Sequence, residues 1–326
     1  MIRTSLVFDM RAPDFGAPAH ELYRAALEMI EYADARGIDQ VSFQEHHGSE
    51  DGYLPAPFLM GSAAAARTRH IEIVLGAVIL PLHDPVKIAE MIAVGDLISG
   101  GRMHTVLAAG YVEREFKAFR VALHDRARLM DEGVAIILRA LSGERFQDNG
   151  REVFVRPLPS SQPPQIYIGG GVPASARRAA RLGLGIWPMK DEIIPVYEEE
   201  CRKLGRKPGR ILHGSIGIHV CEDPEAGWAE IGPHALHYVR SYASWSSSPK
   251  VSSSPMHGMD SIEAIRASGI IRVLTPDETA VLARTKQVGL LPLIAGLRPE
   301  IGWRSLELFV NKVLPQLKPA TEVQPG

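Results

Sequence analysis

The sequence predicts a parallel α/β architecture closed into a (β/α)8 barrel, on three observations. Eight short β-branched or apolar runs alternate with longer amphipathic stretches along the chain. The run over residues 71–79 is apolar almost throughout, as a strand buried on both faces of a parallel sheet must be. No composition shift divides the 326 residues into two halves, as the rival open doubly wound sheet would favour. The length also suits one barrel of about 250 residues or more.

Taken in order, the first strand falls at residues 5–9. A helix follows over 20–36, with Leu22, Ala26, Met29, Ile30 and Ala33 spaced by three and four and Gly37 ending it. Residues 40–44 form the second strand, and the next helix runs from near Pro57 to near Arg69. After the third strand at 71–79, Asp84-Pro85 opens a helix with proline in its first turn, which Ser99-Gly100-Gly101 stops. The fourth strand covers 103–109, and helical patterning returns at 112–119 and 125–141. Residues 143–165, rich in proline, glycine and polar groups, read as an excursion forming a small hairpin. The barrel resumes with a strand at 166–168, a helix at 173–182 and a strand at 185–189. Then come a helix at 193–204, a strand at 212–221 and a helix at 224–240. The last strand, 290–296, follows the helix that Pro276 begins, and 303–317 closes the chain. The whole of 1–326 therefore reads as a single barrel domain. Residues 241–259 depart from the theme. Their Ser246-Ser247-Ser248-Pro249 and Ser252-Ser253-Ser254-Pro255 read as a loop without a packed element.

Composition removes classes of function. The 36 basic and 38 acidic residues leave a formal charge of −2, so nothing marks a nucleic-acid or anionic-lipid partner. The longest apolar stretch, 73–82, is about half the roughly 20 residues needed to cross a bilayer. No signal-peptide core follows Met1. With only Cys201 and Cys221, a disulfide framework is excluded, both cysteines read as inert, and a cytoplasmic location is expected.

Barrel enzymes place reacting groups at the C-terminal ends of their strands. One such end is Glu45-His46-His47. Adjacent strand residues face opposite ways, which argues against both imidazoles gripping one metal ion, and no metal is expected. This disfavours a metal-dependent hydrolase. A single rim histidine still suits proton transfer near neutral pH. Another end is Gly169-Gly170-Gly171, followed by Ser175, Arg177 and Arg178 at a helix start. Such N–H groups attract an anion, and glycine lets a phosphate come close. The Rossmann spacing and its acidic residue are missing. Arg102, in the turn before the fourth strand, reads as structural.

Several segments together resemble the bacterial luciferase-like family across nearly the whole chain. They are Glu45-His46-His47, Leu80-Pro81-Leu82-His83-Asp84-Pro85 leading to Ala89-Glu90, and Asp96 through Gly100-Gly101-Arg102. Ala109-Gly110-Tyr111 with Glu115-Phe116, residues 164–171 with Ser175 and Ala179-Ala180, and the tail 303–315 complete the set. The resemblance implies a (β/α)8 barrel, an oligomer (a homodimer), and use of reduced FMN or the deazaflavin F420. It implies a monooxygenase that oxidises a small organic substrate with O2, its FMN reduced by a separate flavin reductase. An F420-dependent hydride-transferring dehydrogenase or reductase and a non-catalytic flavin-binding protein are the alternatives. By the same resemblance His46 and His47 take the catalytic positions at the reactive flavin edge. A non-proline cis peptide at Gly76-Ala77 would lie behind the flavin ring, with Ala108 and Gly110 beside it. Gly169, Gly170, Gly171 and Ser175 would hold the phosphate. Where luciferase itself carries a reactive cysteine on the fourth strand this chain has Ala108, followed by Ala109, so neither light emission nor a long-chain aldehyde substrate is implied.

Overall fold

The computed structural model describes residues 3–245 and 256–317. The first half runs β1 (Thr4–Phe8), α1 (Ala19–Asp34), β2 (Gln40–Phe43), α2 (Pro57–Arg67), β3 (Glu72–Ile79), α3 (Pro85–Ser99), β4 (Met103–Ala108), α4 (Glu113–Ala118) and α5 (Arg126–Leu141). A small antiparallel hairpin, β5 (Phe146–Asp148) and β6 (Arg151–Val153), occupies the excursion. The second half runs β7 (Ile166–Gly170), α6 (Pro173–Leu182), β8 (Gly185–Pro188), α7 (Ile194–Lys203), β9 (Ile216–Val220), α8 (Pro224–Trp245), α9 (Ile262–Ser268), β10 (Ile271–Leu274), α10 (Pro276–Ala283), β11 (Val288–Leu290) and α11 (Pro299–Leu308). A π-helical turn, Phe309–Val313, then leads into α12 (Leu314–Leu317).

The main sheet is parallel, in the order β10-β9-β11-β1-β2-β3-β4-β7-β8. Residues 210–212 run alongside β8, the last strand of this order. The Leu212 N–H donates to the Ile186 carbonyl at 2.9 Å, and the Ile186 N–H to the Arg210 carbonyl at 3.2 Å. Four residues after Leu212 the chain enters β9, so the sheet curls back on itself as a (β/α)8-type barrel. Alternation along each strand fills two compartments. Side chains such as Leu6, Val41, Ile73, Leu75, Leu107 and Ile168 belong to the large core shared with the helices. Val74, Val106, Tyr167 and Leu212, with Ala77 and Trp187, form a separate cluster that plugs the barrel. Gly76 makes room for that plug: a Cβ there would lie 2.2 Å from the Trp187 indole.

Local chemistry sets the turns. Asp84 caps α3 by accepting the Val86 and Lys87 N–H groups, and Gly100 ends the helix in the left-handed region at φ 62°. Thr275 and Glu278 form a capping box on α10. The Asp34 carboxylate accepts three consecutive N–H groups, from Arg69, His70 and Ile71, and so fixes the entry to β3. Arg102 is structural, as expected. Its guanidinium donates to the carbonyls of Ala65, Thr68, Ile71 and Ser99 and to the Thr68 hydroxyl.

Three expectations need correction. The last strand is only Val288–Leu290: Pro292 has no N–H to donate, and Ala295 and Gly296 turn the chain at φ 43° and 80°. A ninth strand, β10, pairs with β9; with four residues between two helices it carries too little pattern to be read. The serine-rich segment 241–259 begins as helix, since α8 continues to Trp245, where ring contacts made by Tyr242 and Trp245 override local propensity. Residues 246–255 lie outside the described part of the chain.

Candidate active site

Strand register brings the predicted residues to one rim. Phe43 lies beside Leu75, Leu75 beside Thr105, and Thr105 beside Ile166. The segments just beyond these residues therefore leave the barrel on the same, C-terminal side. The Gly76–Ala77 peptide is cis, and the β3–β4 register slips between Gly76 and Val78. The cis peptide falls where the resemblance puts it. On the neighbouring strands β3, β4 and β7, a Cβ built on Gly169 would sit 3.6 Å from the Ala108 Cβ and 3.7 Å from that of Ala77. Ala77, Ala108 and Gly169 thus form a shelf of small residues beside Trp187.

The two histidines diverge, as neighbouring strand-end residues should. His46 is only 6% exposed. Its Nδ1 lies 2.8 Å from Glu115 Oε1 on α4, and its ring is ringed by Tyr53, Tyr111, Tyr242 and Trp245 at centroid distances of 4.5–5.9 Å. Burial pushes the His46 imidazole below its usual pKa, against the pull of Glu115. His47 turns away. Its Nε2 lies 2.9 Å from Glu45 Oε1, which also meets His83 Nε2 at 2.6 Å. Glu45 Oε2 accepts the Ile79 N–H. Burial opposes ionisation of Glu45, but the N–H groups of His47, His83 and Ile79 overcome it and hold the carboxyl at about 2. The donor atoms of Glu45, His47 and His83 lie within 4.8 Å of one another, a spacing around which a cation could gather. The 2.6 and 2.9 Å separations are hydrogen-bond lengths, so the cluster already satisfies itself.

Above His46, Arg11 is completely buried. Its guanidinium lies 4.7–4.9 Å from the ring centroids of Tyr53, Tyr242 and Trp245, and its Nε is 3.8 and 3.7 Å from the Asp9 and Asp51 carboxylates. The Tyr53 and Tyr242 hydroxyls share a 2.7 Å hydrogen bond. Burial raises the phenol pKa of Tyr53, Tyr111 and Tyr242, so these rings stay neutral.

At the glycine triplet, Gly170 has φ 148°, and a Cβ there would lie 2.8 Å from Ser175 Oγ. The Ser175 hydroxyl donates to the Val172 carbonyl at 2.7 Å. Arg178 is bound to Asp131 through two hydrogen bonds, which leaves the exposed Arg177 as the cation beside the α6 start. Gly171 is half-buried at the same turn. The bare side of Gly110 faces Ile79 and Phe116, so packing accounts for that glycine. Cys201 is buried and Cys221 half-buried, both as free thiols. Sequence reasoning missed Glu115, His83, Arg11, Tyr53, Tyr242, Trp245 and Trp187. Glu115 and Arg11 had a usable signal, since each follows a strand end on the reacting rim.

A barrel whose C-terminal rim combines a carboxylate-held histidine, a small-residue shelf at a cis peptide and a glycine-lined helix start defines a class, the (β/α)8-type barrels with their polar side chains gathered at the strand C-termini. Comparison narrows the class. Residues 5–288 match the family model described as luciferase-like monooxygenase, and the chain belongs to that family. It is an enzyme, a flavin-dependent oxidoreductase. Limonene 1,2-monooxygenase from Rhodococcus erythropolis is 26% identical over 86% of this chain and 78% of its own length. The oxygenase component of a flavin-dependent trigonelline monooxygenase from Acinetobacter baylyi is 26% identical over 62% of this chain and 58% of its own. Among solved structures, the monooxygenase RslO1 from Streptomyces bottropensis superposes with a TM-score of 0.81 at 25% identity, covering 97% of this chain and all of that one. The oxygenating constituent of 3,6-diketocamphane monooxygenase from Pseudomonas putida, in complex with FMN, gives 0.73 at 18%, covering 97% and 99%. An F420-dependent secondary alcohol dehydrogenase gives 0.70 at 16%, covering 98% and 99%.

Proposed function

We propose that the chain is the oxygenase of a two-component system, using reduced FMN and O2 to oxidise a small organic substrate. The observation that carries this reading is the meeting on one rim of His46, the Ala77–Ala108–Gly169 shelf and the Gly170–Ser175 helix start. The residues fit a flavin. Small side chains leave room for a flat ring where longer ones would intrude, and the α6 start with Arg177 suits its phosphate. Bound reduced FMN would supply the activation of O2; the protein supplies position, proton control and exclusion of water.

His46 is the group suited to exchange a proton at the reacting edge, because its Nε2 is not taken by Glu115. His47 supports the site from behind, its Nε2 held by Glu45. Tyr53, Tyr111, Tyr242 and Trp245 shield His46 from solvent. Tyr242 and Trp245 belong to the last turn of α8, so that turn forms one wall beside His46.

The relative named as an oxygenase component supports a separate reductase as partner. Homo-oligomerisation is supported by an apolar outer face on α2 and α3, where Leu59, Val94, Leu97 and Ile98 are exposed. No helix of the described residues is long and apolar enough to cross a membrane, and the two free thiols suit a reducing cytoplasm. F420-dependent hydride transfer is the second reading, supported by a neighbour of that activity on the same fold. Titrating purified protein anaerobically with reduced FMN and with reduced F420 separates the two. Tight binding of FMN with oxygen-dependent turnover is expected; binding of F420 alone overturns the reading.

A further inference from the structure

Glu115 is buried to 1% exposure on the short helix α4, and nothing about a barrel's stability calls for a carboxylate there. The adjoining Phe116 pins α4 against Ile79 and Leu82, so the Glu115 backbone is fixed relative to the rim. Glu115 Oε1 meets His46 Nδ1 at 2.8 Å and accepts the His47 N–H at 3.0 Å. Glu115 Oε2 has no hydrogen-bond partner among the described residues.

From this geometry we infer that Glu115 is the positioning residue that holds His46 in one tautomer, with the proton on Nδ1 and Nε2 left without one. The inference rests on the proposed role of His46 as the proton-exchanging group. A carboxylate only accepts, so Nδ1 must carry the proton. In a neutral ring the other nitrogen is then an acceptor, available to take a proton. When Nε2 does so, the positive charge that forms lies against a carboxylate already in place. Without Glu115 nothing on the described chain accepts from Nδ1, and Nε2 is no longer reserved as the free nitrogen. The second contact, from the His47 N–H, keeps Oε1 in place through the neighbouring backbone. Other charges facing His46 are the Arg11 guanidinium, which opposes imidazolium formation, and Glu45, which favours it. Tyr53, Tyr111 and Tyr242 contribute neutral rings.

The test uses histidine labelled with nitrogen-15 in the flavin-free protein, with His46→Ala identifying the resonances. The parent should show Nδ1 protonated and Nε2 bare through the neutral range. Glu115→Gln keeps an acceptor oxygen but removes the charge. It should preserve the tautomer and lower the His46 titration midpoint by about one to three pH units, the usual effect of a carboxylate within about 4–6 Å. In the FMN-loaded enzyme the acid limb of kcat/KM should move to lower pH by the same amount, with flavin affinity unchanged. A parent spectrum with the proton on Nε2 overturns the inference, and so does an unmoved midpoint in Glu115→Gln. If His46→Ala abolishes turnover while Glu115→Gln changes neither midpoint nor limb, the inference alone falls. If His46→Ala keeps full turnover, the proposed role of His46 falls, and the spectrum still decides the tautomer.

Discussion

The two rims of the barrel treat polar groups in opposite ways. At the N-terminal rim, Glu72 binds Arg3 and Arg210, His104 lies 3.4 Å from the same carboxylate, and the Tyr167 hydroxyl joins His104 to Gln165. None of these side chains leaves a buried polar atom without a partner. At the C-terminal rim, Arg11 Nε and Nη2 and Glu115 Oε2 are buried with no hydrogen-bond partner among the described residues. Two single atoms of this kind lie elsewhere, one on Asp96 in the last turn of α3 before β4 and one on His219 within β9. An unsatisfied buried group costs about 1–3 kcal/mol, so a fold tolerates several together only where something else is served. The unpartnered atoms gather most densely at the C-terminal rim, the end at which barrel enzymes carry their sites and at which we propose a ligand binds.

The largest effect that separates the rims should come from His46→Ala. Turnover should fall by about 10²–10⁴-fold, the range of a general acid–base group, with the protein still folding cooperatively although less stable for the cavity left behind. Oxygen uptake coupled to product, together with a thermal melt, reads both quantities. If turnover were lost only where the variant had already unfolded, His46 would belong with the structural groups and the contrast would fail. Gly170→Ala should come next. Its new Cβ would lie 2.8–2.9 Å from the Ser175 side chain at a φ of 148°, so the turn must move. Reduced-FMN affinity should drop at least about tenfold, or about 1.4 kcal/mol. Unaltered affinity by anaerobic titration would place the phosphate elsewhere.

Glu72→Gln should do the reverse, lowering stability and leaving kcat alone. The expected loss is about 1–2 kcal/mol, kept small because Arg3 and Arg210 are each about a third exposed. Burial raises the Glu72 pKa, but Arg3 and Arg210 outweigh it and hold the carboxyl at about 2. A depressed carboxyl stabilises the fold at pH above its unfolded value of about 4.3, and that stability is lost as pH falls through 2. The gap between parent and variant should therefore be full at neutral pH and close toward pH 2 in denaturant titrations. A pH-independent gap would mean that packing, not charge, is what the substitution removed.

What could be read from the sequence follows the same division. Periodicity located seven of the barrel strands and the excursion hairpin, because a strand buried on both faces needs an unbroken apolar run. It overran the last strand, since Pro292, Ala295 and Gly296 end pairing through backbone geometry and leave the apolar pattern intact. Site residues followed chain position. His46 and Gly169 lie at or just beyond strand ends and could be named as candidates, whereas Tyr242 and Trp245 approach His46 only because α8 crosses the rim, some 200 residues away. Glu115 was visible as a motif, but its contact with His46 arises from the packing of α4, which no local pattern encodes.

The smallest expected effect is at Ser175, and its size follows from where the hydroxyl proton already goes. The hydroxyl donates to the Val172 carbonyl at 2.7 Å, and a phosphate, being an acceptor, gains that proton only if the side chain turns away. Binding then exchanges one hydrogen bond for a stronger, charge-assisted one. Ser175→Ala should thus weaken reduced FMN by about 1 kcal/mol or less, below the effect of Gly170→Ala on the same turn. Riboflavin, which lacks the phosphate, should bind parent and variant alike. Equal losses for FMN and riboflavin would show that Ser175 acts by shaping the helix start, and would leave the backbone N–H groups and Arg177 to hold the anion.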